Sequence, residues 1–96
     1  MKGSDILEKA SELIGTSRAD QHGNMWINHE NIAQLWTGYL WQKLGQNHIS
    51  ATDVANMMEL LKIARRKLGD LNVDDYTDGA GYAAVAYECR KHEEEL

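Results

Sequence analysis

Apolar residues recur every three or four positions along most of the chain, which is the spacing of one face of an α-helix. The pattern predicts four helices, over residues 5–14, 26–43, from Ser50 to Gly69, and 75–91. Glycine, asparagine and charged residues fill the intervening segments, as is typical of loops. The expected fold class is therefore all-α, a compact bundle of about four helices with short connections.

Each of the first three helices is predicted to bury one apolar stripe. The stripe residues are Ile6, Leu7, Ala10, Leu13 and Ile14, then Ile32, Leu35, Trp36, Tyr39 and Leu40, then Val54, Met57, Leu61, Ala64 and Leu68. Ser4 is the expected N-cap of the first helix, and Gly15 its end. Ser50 and Asp53 have the spacing of a capping box at the start of the third.

The fourth helix places Asp78, Tyr82, Val85 and Cys89 on one face, at 100° per residue, and that face points to the core. Glycines and alanines cover much of its remaining surface. Each glycine inside a helix costs about 0.5–1 kcal/mol relative to alanine. This cost predicts either close helix packing or the close approach of a ligand.

Four charged residues on the third and fourth helices allow two interpretations. Lys62 and Arg65 are natural partners of Asp78, since a half-buried charge without a partner is strongly unfavourable. The two cations could instead clamp a phosphate, and Asp75 and Asp78 could hold a metal ion. If the two aspartates hold no metal ion, Asp75 is expected to cap the fourth helix and Asp78 to stabilise its first turn.

Length and charge narrow the classes of function. With 96 residues the chain forms one expected domain, residues 1–96, with frayed ends at 1–3 and 92–96. A net charge of −5 argues against binding of nucleic acid or an anionic membrane. Cys89 is the only cysteine, so no intrachain disulfide forms, and a reducing cytoplasm is expected. The small core predicts a homo-oligomer.

Four segments resemble a family of small uncharacterised phage and prophage proteins: "SRADQHGN", "NHENIAQLWTGYL", "DVANMMELLKIARRK" and "DDYTDGAGYAAVAYE". The resemblance runs in order from Arg18 to Glu88. It departs at His22, where the family usually has tyrosine. It implies a helical protein of the host-cell cytoplasm and no particular activity.

A remoter resemblance links the chain to the all-α, MazG-like nucleotide pyrophosphohydrolases, which are helical bundles and often oligomeric. That family binds Mg²⁺ through an ExxE pair and a later ExxD pair. In this chain Glu8 and Glu12 are four residues apart and lie on a different helix from the one that would carry the ExxE pair. Only Asp75 and Asp78 have the three-residue spacing of these acid pairs. The resemblance therefore implies Mg²⁺ at Asp75 and Asp78.

Two hypotheses of function follow, and the sequence leaves open whether the protein is an enzyme. The first is a nucleotide-binding or nucleotide-processing phage protein, whose ligand contacts would be Arg18, Asn28, Lys62, Arg65, Asp75, Asp78 and Tyr82. The alternative is a non-catalytic accessory protein that binds a host or phage protein. Trp26 and Trp41 would then be exposed interface anchors.

Overall fold

A computed structural model describes residues 1–17 and 25–95 of the chain, and no strand occurs in these two ranges. The helices are α1 (Gly3–Glu12), α2 (Met25–Tyr39), α3 (Trp41–Leu44), α4 (Ala51–Leu68) and α5 (Val73–Glu95). A π-helical segment, Leu13–Ser17, extends α1 past the predicted end at Gly15. The all-α prediction is confirmed, with the second predicted helix divided into α2 and α3.

Short side chains determine where the helices begin. Ser50 and Asp53 form the predicted capping box, with backbone-to-side-chain distances of 3.0 Å in both directions. At α5 the cap differs from the prediction, because Asn72 Oδ1 accepts a hydrogen bond from the Asp74 amide at 3.0 Å. Asp75 therefore lies inside α5, and Asp78 lies in its second turn rather than its first.

The start of α1 also differs from the prediction. The Lys2 amide donates to Asp5 Oδ2 at 2.8 Å, so the helix begins at Gly3. Ser4 lies within the first turn instead of capping it.

Helix α5 is the central element, since it packs along α4 and also contacts α1 and α2. One buried cluster joins α4 to α5, with Met25 and Trp26 packed against it: Ala51, Ala55, Val85, Ala86 and Cys89. A second cluster joins α2 to α4, covered by Ile32, Trp36, Leu40, Leu44 and Met58: Ala33, Ile49 and Val54. Alanines make up three of the five residues in the first cluster, so α4 and α5 can approach each other closely there.

The predicted buried stripe of α4 is wrong apart from its first residue, Val54, which is fully buried. The other four members, Met57, Leu61, Ala64 and Leu68, are exposed. The helix instead turns its small residues toward α5, whose own glycines and alanines leave little room for bulky side chains. The inner face then continues into Lys62 and Arg66, which are half-buried.

The other stripes need smaller corrections. Leu7, Leu35 and Tyr39 are mostly exposed, whereas His29 and Ala33 are buried on the inner face of α2. Helix α5 continues past its predicted end at residue 91, because residues 92–95 form its last turn. There the His92 ring lies 4.3 Å from that of Trp26, and Glu93 hydrogen-bonds Thr52.

Candidate functional site

An ion pair joins α4 to α5 on the inner side of both helices. Lys62 Nζ lies 2.9 Å from Asp78 Oδ2, and the two side chains are 12% and 19% exposed. This pair is one of the two interpretations that the sequence left open, and Lys62 is one of the two partners it offered for Asp78. Because each charge needs the other when water is largely excluded, the pair stabilises the helix contact.

A second cation, Arg66, lies one helical turn beyond Lys62. Its Nε and Nη2 atoms donate to the Asp75 carbonyl oxygen at 3.3 and 3.2 Å. Its guanidinium carbon lies 4.8 Å from the centroid of the Tyr76 ring, within cation–π range. The guanidinium is thus held by one carbonyl and one ring of α5.

Gly79 makes room for that guanidinium. A Cβ atom built on Gly79 would overlap Nη2 of Arg66 and lie 3.2 Å from its Cζ. The buried glycine therefore permits close packing, which is one of the two explanations that the sequence left open. The group that approaches the Gly79 backbone is a side chain of the protein.

A small cleft opens beside the ion pair, between α5, α2 and the segment that follows α1. Its volume is about 60 Å³, and nine residues line it: Leu13, Ile14, Met25, His29, Thr77, Asp78, Gly81, Tyr82 and Val85. The wall is mainly apolar, with His29, Thr77, Asp78 and Tyr82 as its polar members. Cavities that hold drug-sized ligands measure roughly 300–1,000 Å³, so this cleft fits only a small group.

The geometry of His29 fixes its tautomer. Nδ1 lies 2.9 Å from the Met25 carbonyl oxygen, and a carbonyl can only accept, so Nδ1 carries the proton. Burial lowers the pKa of His29 below 6.5, and the hydrogen bond to Met25 opposes that effect only in part. In the neutral ring Nε2 is consequently an acceptor.

Acidification is expected to destabilise the protein through His29. Above pH 6.5 the ring is neutral in both the folded and the unfolded chain, so it adds no pH dependence. Below that value the unfolded chain binds a proton that the folded chain takes up only at a lower pH, so folding stability falls with pH. Urea unfolding between about pH 7.5 and 5 should therefore show a steeper loss for wild type than for His29→Gln.

His48→Gln is the control variant, because it makes the same substitution at an exposed position. Equal slopes for wild type and His29→Gln would contradict the burial argument.

The predicted ligand residues do not all come together. Lys62, Asp78 and Tyr82 lie near one another, since the ion pair adjoins the cleft that Tyr82 lines. Arg65 is exposed, and the adjacent Arg66 takes the inward position. Asn28 is partly exposed on α2, and Asp75 is buried at the start of α5. Arg18 lies outside the described residues.

The donors needed for Mg²⁺ do not converge in residues 1–17 and 25–95. No group of three or more histidine, cysteine, aspartate or glutamate side chains could hold a metal ion there. Mg²⁺ requires near-octahedral oxygen coordination, and Asp78 is already paired with Lys62. Asp75 and Asp78 in this arrangement do not fit the ion.

Cys89 is not suited to nucleophilic catalysis. Burial, together with the charges of Glu93, Glu88 and Glu30, raises the pKa of its thiol to about 11. The thiolate is the reactive form, so the group is largely unreactive near neutral pH.

Sequence reasoning missed three polar residues of this region: His29, Thr77 and Arg66. His29 lies inside the predicted second helix, four residues before Ala33 on the same face, but its burial depends on where α5 crosses that helix. Arg66 shares one face of α4 with Ala51, Ala55 and Lys62, at intervals of four and seven residues, but periodicity does not show that this face turns toward α5. Thr77, whose hydroxyl donates to the Val73 and Asp74 carbonyls, has no sequence signal.

These features define a small all-α protein in which α4 and α5 share an internal charged layer made of Lys62, Asp78 and Arg66. The chain belongs to the family described as "Domain of unknown function (DUF6378)", whose model matches residues 5–90. The phage and helical character expected from the sequence agrees with this assignment. No helix in the described parts of the chain is long and apolar enough to cross a membrane.

Two relatives come from bacteriophages. The Gene 55 protein of Mycobacterium phage D29 is 45% identical over 78 residues, which cover 81% of this chain and 48% of the relative. The Gene 55 protein of Mycobacterium phage L5 is 42% identical over 90 residues, or 94% of this chain and 55% of the relative. The chain thus spans about half the length of these relatives.

No solved structure matches the chain significantly. Neither the family model nor the two phage relatives supports the remoter resemblance to MazG-like enzymes.

Proposed function

We propose that this phage-related protein acts by binding another protein, of phage or host origin, and not by catalysis. The observation that carries the proposal is a pair of large aromatic side chains left in solvent where α2 meets α3. Tyr39 is 89% exposed and Trp41 is 63% exposed. Aromatic residues of this kind are the commonest hot spots of protein interfaces.

The surroundings of the two rings support this choice. Residues 38–43 line a shallow depression around them, and Leu35, one turn earlier on α2, is also mostly exposed. An exposed tyrosine and tryptophan each offer a large apolar area at low cost in side-chain entropy. Trp26, the other anchor expected from the sequence, packs instead against the buried cluster of α4 and α5.

The charged layer between α4 and α5 argues against catalysis. Lys62 is paired with Asp78, and Arg66 is bound to a carbonyl of its own chain. Among described residues, every buried side-chain nitrogen or oxygen has a hydrogen-bond partner. Both inward cations are therefore engaged by groups of their own chain.

A photo-crosslinking amino acid placed at Trp41 tests the proposal in phage-infected or expressing cells. We expect one discrete adduct from Trp41 and from Tyr39, and none from Glu8, an exposed control position on α1. Trp41→Ala should then weaken binding of the purified partner at least about tenfold. Identical patterns at Trp41 and Glu8, or adducts only with a second copy of this chain, would reject a heterologous partner.

Nucleotide binding is the second candidate, supported by the convergence of His29, Asp78 and Tyr82 on one cleft. Against it stand the small volume of the cleft and the pairing of the inward cations. A thermal-shift screen of nucleoside mono- and triphosphates with Mg²⁺ at millimolar concentration decides the matter. A ligand at 100 times its Kd stabilises by about 2.7 kcal/mol, so a bound nucleotide would raise the Tm measurably. We expect no shift.

A further inference from the structure

The outer face of α4 carries a continuous row of exposed apolar side chains, called here the α4 stripe: Met57, Leu60, Leu61, Ala64 and Leu68. Leu60 is 61% exposed and Leu68 is 89% exposed, while Met57 and Leu61 are each 42% exposed. The opposite face of the same helix packs on α5. Helix α4 therefore carries a second apolar face, which neither α5 nor α2 covers in the described part of the chain.

The spacing of the stripe is that of a helix–helix seam. Met57, Leu61, Ala64 and Leu68 are separated by four, three and four residues, which is the a/d pattern of a coiled coil. When Leu61 is counted as position a, Leu60 occupies position g beside it. The small Ala64 in the middle of the seam allows a second helix to approach closely.

The total accessible surface is consistent with a missing partner. It measures 6964 Å². A folded monomer of 10.9 kDa is expected to expose about 5,600 Å². The elongated outline, 45 × 31 × 22 Å, contributes to this excess of about 1,400 Å². A standard interface covers about 800 Å² on each partner, which lies within the excess.

Charges beside the stripe make it complementary to itself. Asp53 and Lys67 occupy g positions on the same side of the seam, one near each end of α4. In an antiparallel pair, g positions face g positions of the other helix. Asp53 of one copy would then lie beside the partner's Lys67, and this contact would occur twice about the two-fold axis.

We propose that two copies of this chain associate through the α4 stripe as an antiparallel two-fold dimer. The interface is isologous, so the same stripe is buried on both copies and the assembly closes at two. Leu60 and Leu61 lie near the axis, where each meets the same segment of the partner. This surface and the Tyr39–Trp41 surface lie on different helices, so the dimer does not depend on the proposed function.

Sedimentation velocity over about 5–500 µM protein measures the dimer constant directly. Wild type should show a species of twice 10.9 kDa at the upper concentrations. Leu60→Lys puts two ammonium groups near the axis and should raise the dimer Kd at least about 100-fold. Leu35→Lys makes the same change at a matched exposure, 64% against 61%, and should leave the Kd unchanged.

A charge reversal tests the orientation of the two helices. Lys67→Glu sets one carboxylate beside the partner's Asp53 at each of the two symmetric contacts. It should raise the Kd about fivefold more than Lys91→Glu, an equal charge change on the exposed side of α5. Far-UV circular dichroism confirms that each variant is folded. A monomeric wild type over the whole range, or equal behaviour of Leu60→Lys and Leu35→Lys, would overturn the dimer; equal effects of the two lysine reversals would overturn its antiparallel form.

Discussion

Replacing Asp78 by alanine is expected to lower the free energy of unfolding by about 2–3 kcal/mol. The change leaves the Lys62 ammonium, with a side chain only 12% exposed, against α5 without its counter-ion. Breaking a fully buried pair costs about 3–5 kcal/mol, and the remaining access to water reduces that figure here. Urea unfolding at one protein concentration, followed by circular dichroism, measures the difference.

The double variant Lys62→Met with Asp78→Leu distinguishes the effect of the two charges from the effect of side-chain packing. It removes both charges and keeps apolar volume, so its stability should lie within about 1 kcal/mol of wild type. Arg90 and Glu94 form the control, because they are an ion pair of the same 2.9 Å length whose side chains are 67% and 65% exposed. Glu94→Ala should change stability by at most about 0.5 kcal/mol. Similar losses for Asp78→Ala and Glu94→Ala would mean that burial does not strengthen the inner pair.

The pairing of Lys62 with Asp78 could be predicted because it needs only helical periodicity and the cost of an unpaired charge. Counting 100° per residue places Asp78 on the core face of α5, and the nearest helix must then provide a cation. The same argument could not choose between Arg65 and Arg66. That choice depends on the rotation of α4 about its axis, which follows from the fit between the two helices.

The outer stripe of α4 shows why that rotation was assigned wrongly. Apolar periodicity alone favours burial of the face with the largest side chains, which contains Met57, Leu61 and Leu68. The smaller face, with Ala51 and Ala55, fits more closely against the glycines and alanines of α5. A periodic pattern identifies an apolar face of a helix. When a helix has two apolar faces, the shape of its neighbour decides which of them is buried.

The cleft was the least predictable part of the candidate site. Asp78 and Tyr82 were placed together because they are one turn apart on a single helix. His29 joins them from α2, and this contact between distant parts of the sequence has no local signal. Its burial depends on how α2 crosses α5, so periodicity within either helix could not reveal it.

Gly79→Ala is expected to destabilise the wild-type protein and to stabilise a protein that lacks the Arg66 side chain. Alanine in place of glycine favours a helix by about 1 kcal/mol. In wild type the new methyl group overlaps Nη2 of Arg66 and displaces the guanidinium from the Asp75 carbonyl and the Tyr76 ring. Those contacts of a charged group contribute about 2–3 kcal/mol together, so the net loss is about 1–2 kcal/mol.

A double-mutant cycle with Arg66→Ala isolates this conflict. In the Arg66→Ala background no guanidinium remains to be displaced, so Gly79→Ala should raise the free energy of unfolding by about 1 kcal/mol, and the coupling should reach about 2–3 kcal/mol. Gly81→Ala is the matched control on the same helix, because its Cβ would meet Ile14 at an ordinary 3.8 Å. That substitution should stabilise both backgrounds equally. If Gly79→Ala changes the free energy of unfolding with the same sign in both backgrounds, the guanidinium is not what requires glycine at this position.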